Sequence, residues 1–186
     1  MSVETPDYKI VSKDKDFEIR DYEGYIMAHV EVTGEYDRAL YEGFMALFNY
    51  IQGNNTKRSQ IPMTAPVTQE YVREPEKISM TAPVTAEQVY KNDYVVSFIM
   101  PRQYDLDTLP VPENKNITFE KVGPFRAAVI RFSGKLREGK AMDKIDDLKK
   151  WMDKKGLSPK SNFMMAQYDP PFLPGFLRRN EVIVKI

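Results

Sequence analysis

The chain repeats one sequence pattern twice, and the two copies lie about 100 residues apart. Residues 19–34 read IRDYEGYIMAHVEVTG, and residues 119–134 read FEKVGPFRAAVIRFSG. In each copy an alternating apolar run, typical of a β-strand, ends at a glycine, Gly34 or Gly134, and a segment with helical spacing follows. A strand–helix unit that occurs twice predicts a single domain with internal pseudo-twofold symmetry.

The composition is consistent with one domain and excludes several kinds of site. A chain of 186 residues is long enough for one sizeable core, and we assign residues 1–186 to it, with pseudo-repeats at about 7–100 and 117–186. The formal net charge is +0, so no basic excess favours nucleic acid or an anionic membrane as the main partner. With 0 cysteines and 1 histidine, the chain has no disulfide, no thiolate metal site and no multi-histidine metal site.

The N-terminus and the hydropathy pattern predict a cytoplasmic protein. Residues 1–16 are polar and lack the apolar segment of a signal peptide. No run approaches the ~18 consecutive apolar residues of a membrane-spanning helix.

Periodicity predicts a mixed α+β fold. Strands are expected at 8–12, 17–22, 25–33, 94–100, 117–122, 125–132, 163–168 and 181–186, helices at 36–51 and 137–154, and irregular chain at 56–90. The order β-β-β-α-β, given twice, favours a mainly antiparallel sheet that curls toward a distorted barrel, with two helices on its outside.

The two predicted helices differ on their outward faces. The second helix carries an ordinary solvated set there, namely Asp143, Asp146, Asp147, Lys150 and Lys154. The first helix has no charge from Gly43 to Ile51, and Tyr41, Met45 and Phe48 lie on its outward or flanking positions. Something is expected to cover this surface: the 56–90 segment, the 169–176 loop, a partner chain or an apolar ligand.

Few side chains carry recognisable chemistry. His29, the single imidazole, is a candidate axial ligand for haem iron, or simply a hydrogen-bonded strand histidine. Met63 and Met80, at matched positions of a tandem motif, either line a pocket or pack in the core. Arg178 and Arg179 would suit the propionates of a porphyrin, or an internal ion pair such as Arg179 with Glu181.

Several motifs together resemble those of the SOUL haem-binding proteins. They are IPMTAPVT (61–68), ISMTAPVT (78–85), VSFIMP (96–101), GPFRAAVIRFSG (123–134) and YDPPFLPGFLRRNEV (168–182). The resemblance covers the chain from about residue 7 to 186. It implies two pseudo-symmetric halves that build a distorted β-barrel flanked by two helices, and the binding of haem or other tetrapyrroles without a settled catalytic activity.

The resemblance also implies a site on the first helix. The expected ligand-binding residues are Phe44, Leu47 and Phe48, with Tyr168, Pro171 and Phe172 nearby, Met45 facing outward and Arg178 and Arg179 facing the propionates. The expected function is non-enzymatic binding of haem or a related tetrapyrrole in an apolar surface groove. Two alternatives are a sensor or carrier of other amphipathic small molecules, and a hydrolase using a carboxylate such as Glu120, Glu31 or Glu181. The oligomeric state is left open.

Overall fold

A computed structural model of the chain describes residues 4–71, 93–170 and 172–186. In these ranges nine strands and two α-helices follow one another: β1 (Tyr8–Asp14), β2 (Phe17–Tyr22), β3 (Tyr25–Thr33), α1 (Tyr36–Ile51), β4 (Val67–Tyr71), β5 (Asp93–Ile99), β6 (Thr118–Val122), β7 (Phe125–Ser133), α2 (Glu138–Lys155), β8 (Met164–Gln167) and β9 (Arg179–Lys185). A 3-10 turn at Gly175–Leu177 precedes β9. The α+β prediction is confirmed.

Both helices lie where the apolar spacing predicts them. The bounds of α1 are the predicted 36–51, and α2 is shifted by one residue from the predicted 137–154. α2 ends at Gly156, which adopts the left-handed conformation with φ 68° and so allows its backbone N–H to bond the carbonyl of Asp153. Local sequence signals therefore determine the bounds of both helices, and tertiary contacts shift these bounds little.

The strands form one antiparallel sheet with the order β1-β2-β7-β9-β8-β4-β5-β3-β6. β4 and β8, one from each repeat, pair at its centre. β2 pairs with β7, and β6 pairs with β3, so each repeat places one strand beside the other repeat. We call this arrangement the strand exchange.

The strand exchange forces the sheet to curl. β2 ends at Tyr22 and β3 begins at Tyr25, so only two residues connect them, a link that reaches about 10 Å. Yet β2 and β3 lie near opposite ends of the strand order. The ends of the sheet therefore approach each other, which produces the half-barrel that the repeat predicted.

The predicted strand order needs one correction. The repeated unit is ββαββ, formed by β2–β5 and by β6–β9, and β1 is an additional strand at the edge. β4 lies inside the segment that was expected to be irregular. Pro66 argued against a strand in this segment, but a five-residue strand begins directly after it. The second tandem motif, 78–85, lies outside the described residues.

Both helices pack on the same face of the sheet, the convex one. Ala28 and Val30 of β3 belong to the apolar cluster beneath α1, and Ala128 and Ile130 of β7 belong to the cluster beneath α2. Because side chains alternate along a strand, the residues between them point to the concave face. The face of the sheet on which each predicted site residue lies therefore decides which of these residues can contact one another.

The closest approach of α1 to the sheet depends on Gly43. A Cβ atom there would lie 2.6 Å from Val96 Cγ2 and 2.8 Å from Val96 Cβ. We expect Gly43→Ala to lower the free energy of unfolding by about 1–3 kcal/mol, because overpacking outweighs the better helix propensity of alanine. Denaturant titration measures this change.

The matched control is Gly139→Ala in α2, where an added Cβ meets nothing within 4 Å. This variant should be as stable as the parent protein or more stable. Equal stability of Gly43→Ala and Gly139→Ala would contradict the close approach of α1 to Val96.

Candidate functional site

The outer surface of α1 carries a stacked aromatic pair. The rings of Phe44 and Phe48 lie 5.7 Å apart at an interplanar angle of 13°, and Phe44 also contacts Phe98 of β5 at 5.4 Å between centroids. Phe44, Met45 and Phe48 are all half-buried. The pair is thus supported from below by the core and is partly exposed on its outer side.

Tyr41 extends this surface by one helical turn. Residues 41, 44, 45 and 48 have the i, i+3, i+4, i+7 spacing of one helix face, and Tyr41 is 65% exposed. We define Tyr41, Phe44, Met45 and Phe48 as the α1 patch. The sequence argument noted Tyr41 but did not include it among the binding residues, although the spacing was sufficient to find it.

The corresponding face of α2 is charged. Alignment of the two helices through their buried positions sets Ala39 on Ala141 and Gly43 on Ile145. In this register the four residues of the α1 patch correspond to Asp143, Asp146, Asp147 and Lys150. Equivalent positions of one repeated unit are therefore apolar in one copy and charged in the other, so the fold itself does not require the apolar patch.

Leu47 does not belong to the open surface, contrary to the sequence prediction. It is 0% exposed and lies in the cluster with Val30 and Val96. Its position on the helix turns it toward the sheet, so it supports the patch from below and does not contact a ligand on the outside.

The loop after β8 starts close to the α1 patch. Val67 of β4 packs in the same apolar cluster as Phe44 and Phe48, and it pairs directly with Gln167 of β8. Phe172, farther along the loop, is 85% exposed and so packs little against the rest of the chain. Pro171 lies outside the described residues.

Tyr168 and Arg179 lie on the other face of the sheet. The Tyr168 hydroxyl donates to Glu181 Oε2 at 2.8 Å, and the Arg179 guanidinium lies 4.0 Å above the Tyr168 ring and donates to Glu181 Oε1. Val182 packs under α2, so its neighbour Glu181 points to the concave face. The internal ion pair suggested for Arg179 is present, and neither residue faces the α1 patch.

Arg178 stabilises the loop between β8 and β9. Its Nε donates to the carbonyl of Leu173 at 2.7 Å. This contact ties the end of the loop to its middle, a structural role beyond the expected contact with propionates.

His29 is also separated from the α1 patch. Ala28 and Val30 face α1, so His29 points to the concave face, where its Nε2 lies 2.7 Å from Thr118 Oγ1. An iron atom above Phe44 and Phe48 is therefore out of its reach. Met63 is exposed on the chain before β4, and Met80 lies outside the described residues.

A buried ion pair between β2 and β9 lies on the concave face of the sheet. Arg20 donates to both carboxylate oxygens of Glu181 at 2.8 Å, to Glu18 at 2.6 Å and to the Tyr22 hydroxyl at 2.9 Å. Its guanidinium carbon lies 4.2 Å from the Tyr8 ring centroid. Sequence reasoning missed Arg20, whose alternation with Glu18 and Tyr22 in β2 was the available signal.

The ion pair sets the charge of Glu181. Burial alone would raise the pKa of the Glu181 carboxyl, but the hydrogen bonds and charges of Arg20 and Arg179 outweigh it, and the pKa is lowered. The burial of Arg20 acts to lower its pKa, and the hydrogen bond to Glu181 reverses this, so the pKa of Arg20 is raised. Both groups stay ionised at neutral pH.

The carboxylates suggested for hydrolysis differ in their surroundings. Glu31 and Glu120 are exposed. The pKa of Glu181 is lowered by Arg20 and Arg179, so this carboxyl lacks the raised pKa expected of a general acid. Burial raises the pKa of Glu70, a residue that the sequence argument did not name, and the charge of Glu120 adds to this rise.

A cavity of about 120 Å³ lies beside the C-terminal half of α1, lined by Ala46, Asn49, Tyr50, Asn54, Glu113 and Asn114. Pockets that enclose small molecules usually measure about 300–1,000 Å³. This cavity is too small to enclose a porphyrin.

The described part of the chain contains neither a membrane-spanning helix nor a cluster of metal-binding side chains. None of its helices is long and apolar enough to span a membrane. Within the same residues, no three His, Cys, Asp or Glu side chains come together in a way that would hold a metal ion.

Comparison with known proteins gives one family and one fold. The sequence profile described as SOUL heme-binding protein matches residues 3–185. The chain is 31% identical to heme-binding protein 1 of Xenopus laevis, over 97% of this chain and 90% of the frog protein.

Solved structures with a similar fold share little sequence with this chain. The EcmrR C-terminal domain has a TM-score of 0.64 at 10% identity and covers 96% of each chain. A hydrolase from Listeria innocua has a TM-score of 0.57 at 8% identity, over 94% of this chain and 93% of that one. At these identities the likeness concerns the fold alone.

Proposed function

The chain belongs to the SOUL heme-binding protein family, and on this basis we propose that it binds haem or a related tetrapyrrole on the α1 patch without catalysing a reaction. The observation that carries the location is the contrast between the two helices: Tyr41, Phe44, Met45 and Phe48 stand where α2 has charged residues. We also propose a cytoplasmic location, with which the absence of cysteine from the sequence is compatible.

The patch suits one face of a flat ring. Phe44 and Phe48 are nearly parallel, and no charged side chain occurs between Gly43 and Ile51. Each 100 Å² of apolar surface removed from water contributes about 2.5 kcal/mol. An open patch covers only one side of a porphyrin, so we expect modest affinity.

The aromatic pair itself offers iron no ligand. Phe44 and Phe48 have no donor atom, so within the patch only Tyr41 and Met45 have side-chain atoms that haem iron accepts. His29 lies across the sheet, and Arg179 is occupied by Glu181. We therefore propose that the ring lies against the aromatic pair with its propionates in solvent.

Titration with hemin, followed by the Soret band, tests the proposal. Phe48→Asp should weaken binding roughly ten- to hundredfold, because it removes about 1.5–3 kcal/mol of apolar burial and adds a charge under the ring. Metal-free protoporphyrin IX should bind with an affinity close to that of hemin if the ring supplies most of the energy.

Ile10→Asp provides the matched control, because Ile10 is an exposed aliphatic residue of β1, an edge strand that pairs with β2 and not with the strands beneath α1. It should leave the hemin affinity unchanged. An equal loss in both variants, or no saturable Soret change at micromolar protein, would contradict the proposed site.

A further inference from the structure

The loop between β8 and β9 exposes three large apolar side chains within six residues. Phe172, Phe176 and Leu177 are 85%, 76% and 58% exposed. Single exposed apolar residues are common on protein surfaces, but a cluster of this kind marks an interaction surface.

The loop is held in shape by its own hydrogen bonds. The Gly134 N–H donates to the Gly175 carbonyl at 2.9 Å, and the Leu177 N–H donates to the Pro174 carbonyl at 2.9 Å. The hydrogen bond from Arg178 to the Leu173 carbonyl joins the end of the loop to its middle. The backbone therefore fixes the position of the apolar side chains before any partner binds.

Basic residues surround the base of the loop. A Cβ on Gly175 would lie 3.3 Å from the backbone nitrogen of Lys135, which places the turn between β7 and α2 directly against the loop. This turn contributes Lys135 and Arg137, the first turn of α2 contributes Lys140, and the loop itself contributes Arg178.

The acidic residues nearest in sequence already have hydrogen-bond partners. Asp169 accepts the backbone N–H of Arg179 at 2.6 Å, and Glu138 accepts the hydroxyl of Tyr71 at 2.9 Å. The chain as a whole has 27 basic and 27 acidic residues. The neutral donors leave Asp169 and Glu138 charged, but the four basic residues outnumber these two acidic ones. The surroundings of the loop therefore carry an excess of positive charge that the net charge conceals.

We propose that this loop docks the protein onto an anionic phospholipid surface. Phe172, Phe176 and Leu177 enter the boundary between headgroups and acyl chains, a depth of about 5–10 Å. Lys135, Arg137 and Arg178 then lie level with the lipid phosphates, which they attract electrostatically. An uncharged tip above a cationic base matches the layers of a membrane interface, whereas a protein partner has no need of this layering.

Co-sedimentation with phospholipid vesicles tests the docking. Vesicles with about 30% phosphatidylserine should bind the protein, pure phosphatidylcholine should bind it less, and added salt should weaken binding because it screens the basic groups. The double variant Phe176→Ser/Leu177→Ser should reduce vesicle binding at least tenfold. Neither residue belongs to the α1 patch, so its hemin affinity should stay unchanged.

Leu106→Ser/Val111→Ser is the matched control, because both side chains are exposed and lie in another loop. It should bind vesicles as the parent protein does. Absence of vesicle binding by the parent protein, or an equal loss in the two double variants, would overturn the proposal. So would conversion of a dimer to a monomer by the loop variant without any change on vesicles, because the loop would then contact protein.

A single-tryptophan variant reports insertion directly. Trp151 is the one tryptophan of the chain and stacks on Phe17, so Trp151→Phe retains a ring there. In this background Phe176→Trp should shift its emission to the blue on anionic vesicles, and Leu106→Trp should not. An unshifted spectrum for the Phe176→Trp variant on bound vesicles would exclude insertion by the loop.

Discussion

Glu181→Gln should lower the free energy of unfolding by about 3–5 kcal/mol, the typical cost of removing one partner of a buried ion pair. Glu181 is fully buried and accepts hydrogen bonds from Arg20, Arg179 and Tyr168. Glutamine keeps the size of the side chain but loses its negative charge, so the positive charge of the buried Arg20 is less well balanced. Urea denaturation at neutral pH measures the loss.

The pH dependence of this loss provides a second test. The pKa of Glu181 is lowered from its ordinary value of 4.5, so its ionised form stabilises the fold above about pH 4.5. This contribution disappears as the pH falls through the lowered pKa. The stability difference between the parent protein and Glu181→Gln should therefore narrow in acid, and a constant difference would contradict the ion pair as its cause.

An exposed ion pair between β2 and β7 is the control. Arg126 donates to both oxygens of Asp21 at 2.7 and 2.8 Å, a bidentate geometry like that of Arg20 with Glu181. Asp21→Asn should change stability little, because solvent screens this pair. A large loss in Asp21→Asn would mean that hydrogen-bond geometry, and not burial, sets the cost.

Leu47→Ala should lower the free energy of unfolding by about 2–5 kcal/mol and leave the hemin affinity within about threefold of the parent value. Leu47 is 0% exposed and lies beneath the α1 patch, so its truncation creates a cavity on the core side of the helix. Thermal or urea unfolding measures the stability, and the Soret titration at low temperature measures the affinity.

Leu148→Ala in α2 is the control, because Leu148 is a leucine buried to the same degree beneath the other helix. It should show a similar loss of stability and unchanged hemin binding. A tenfold loss of hemin affinity in Leu47→Ala alone would instead support the contact between Leu47 and the ring that the sequence predicted.

The helices were predictable because their signals are local. The apolar spacing of 36–51 and the glycine at 156 mark the helix bounds without reference to the rest of the chain. β4 was missed because Pro66 and the polar residues after Val67 are unusual for a strand. This strand exists because β5 and β8 pair with it on both sides, which no local pattern reveals.

The candidate site was predictable only in part, for a geometric reason. The uncharged stretch from Gly43 to Ile51 selects α1 for the proposed site, and helical spacing extends the patch to Tyr41. Tyr168 and Arg179 were grouped with it because they lie in a motif of the same resemblance. A motif gives only the positions of residues along the chain. The face of the sheet to which a side chain points depends on how the strands pair. The pairing of β8 with β9 places Tyr168 and Arg179 on the face opposite the α1 patch.

The strand exchange has a consequence for how such a chain could arise. A single ancestral repeat, folded with this pairing, would leave the position beside its own β3-like strand empty, because that neighbour comes from the other copy. Two identical ancestors would fill the gap for each other in a symmetric dimer with swapped strands. Fusion of two such genes would join the subunits covalently, and only then would one helix be free to lose its charges while its twin kept them.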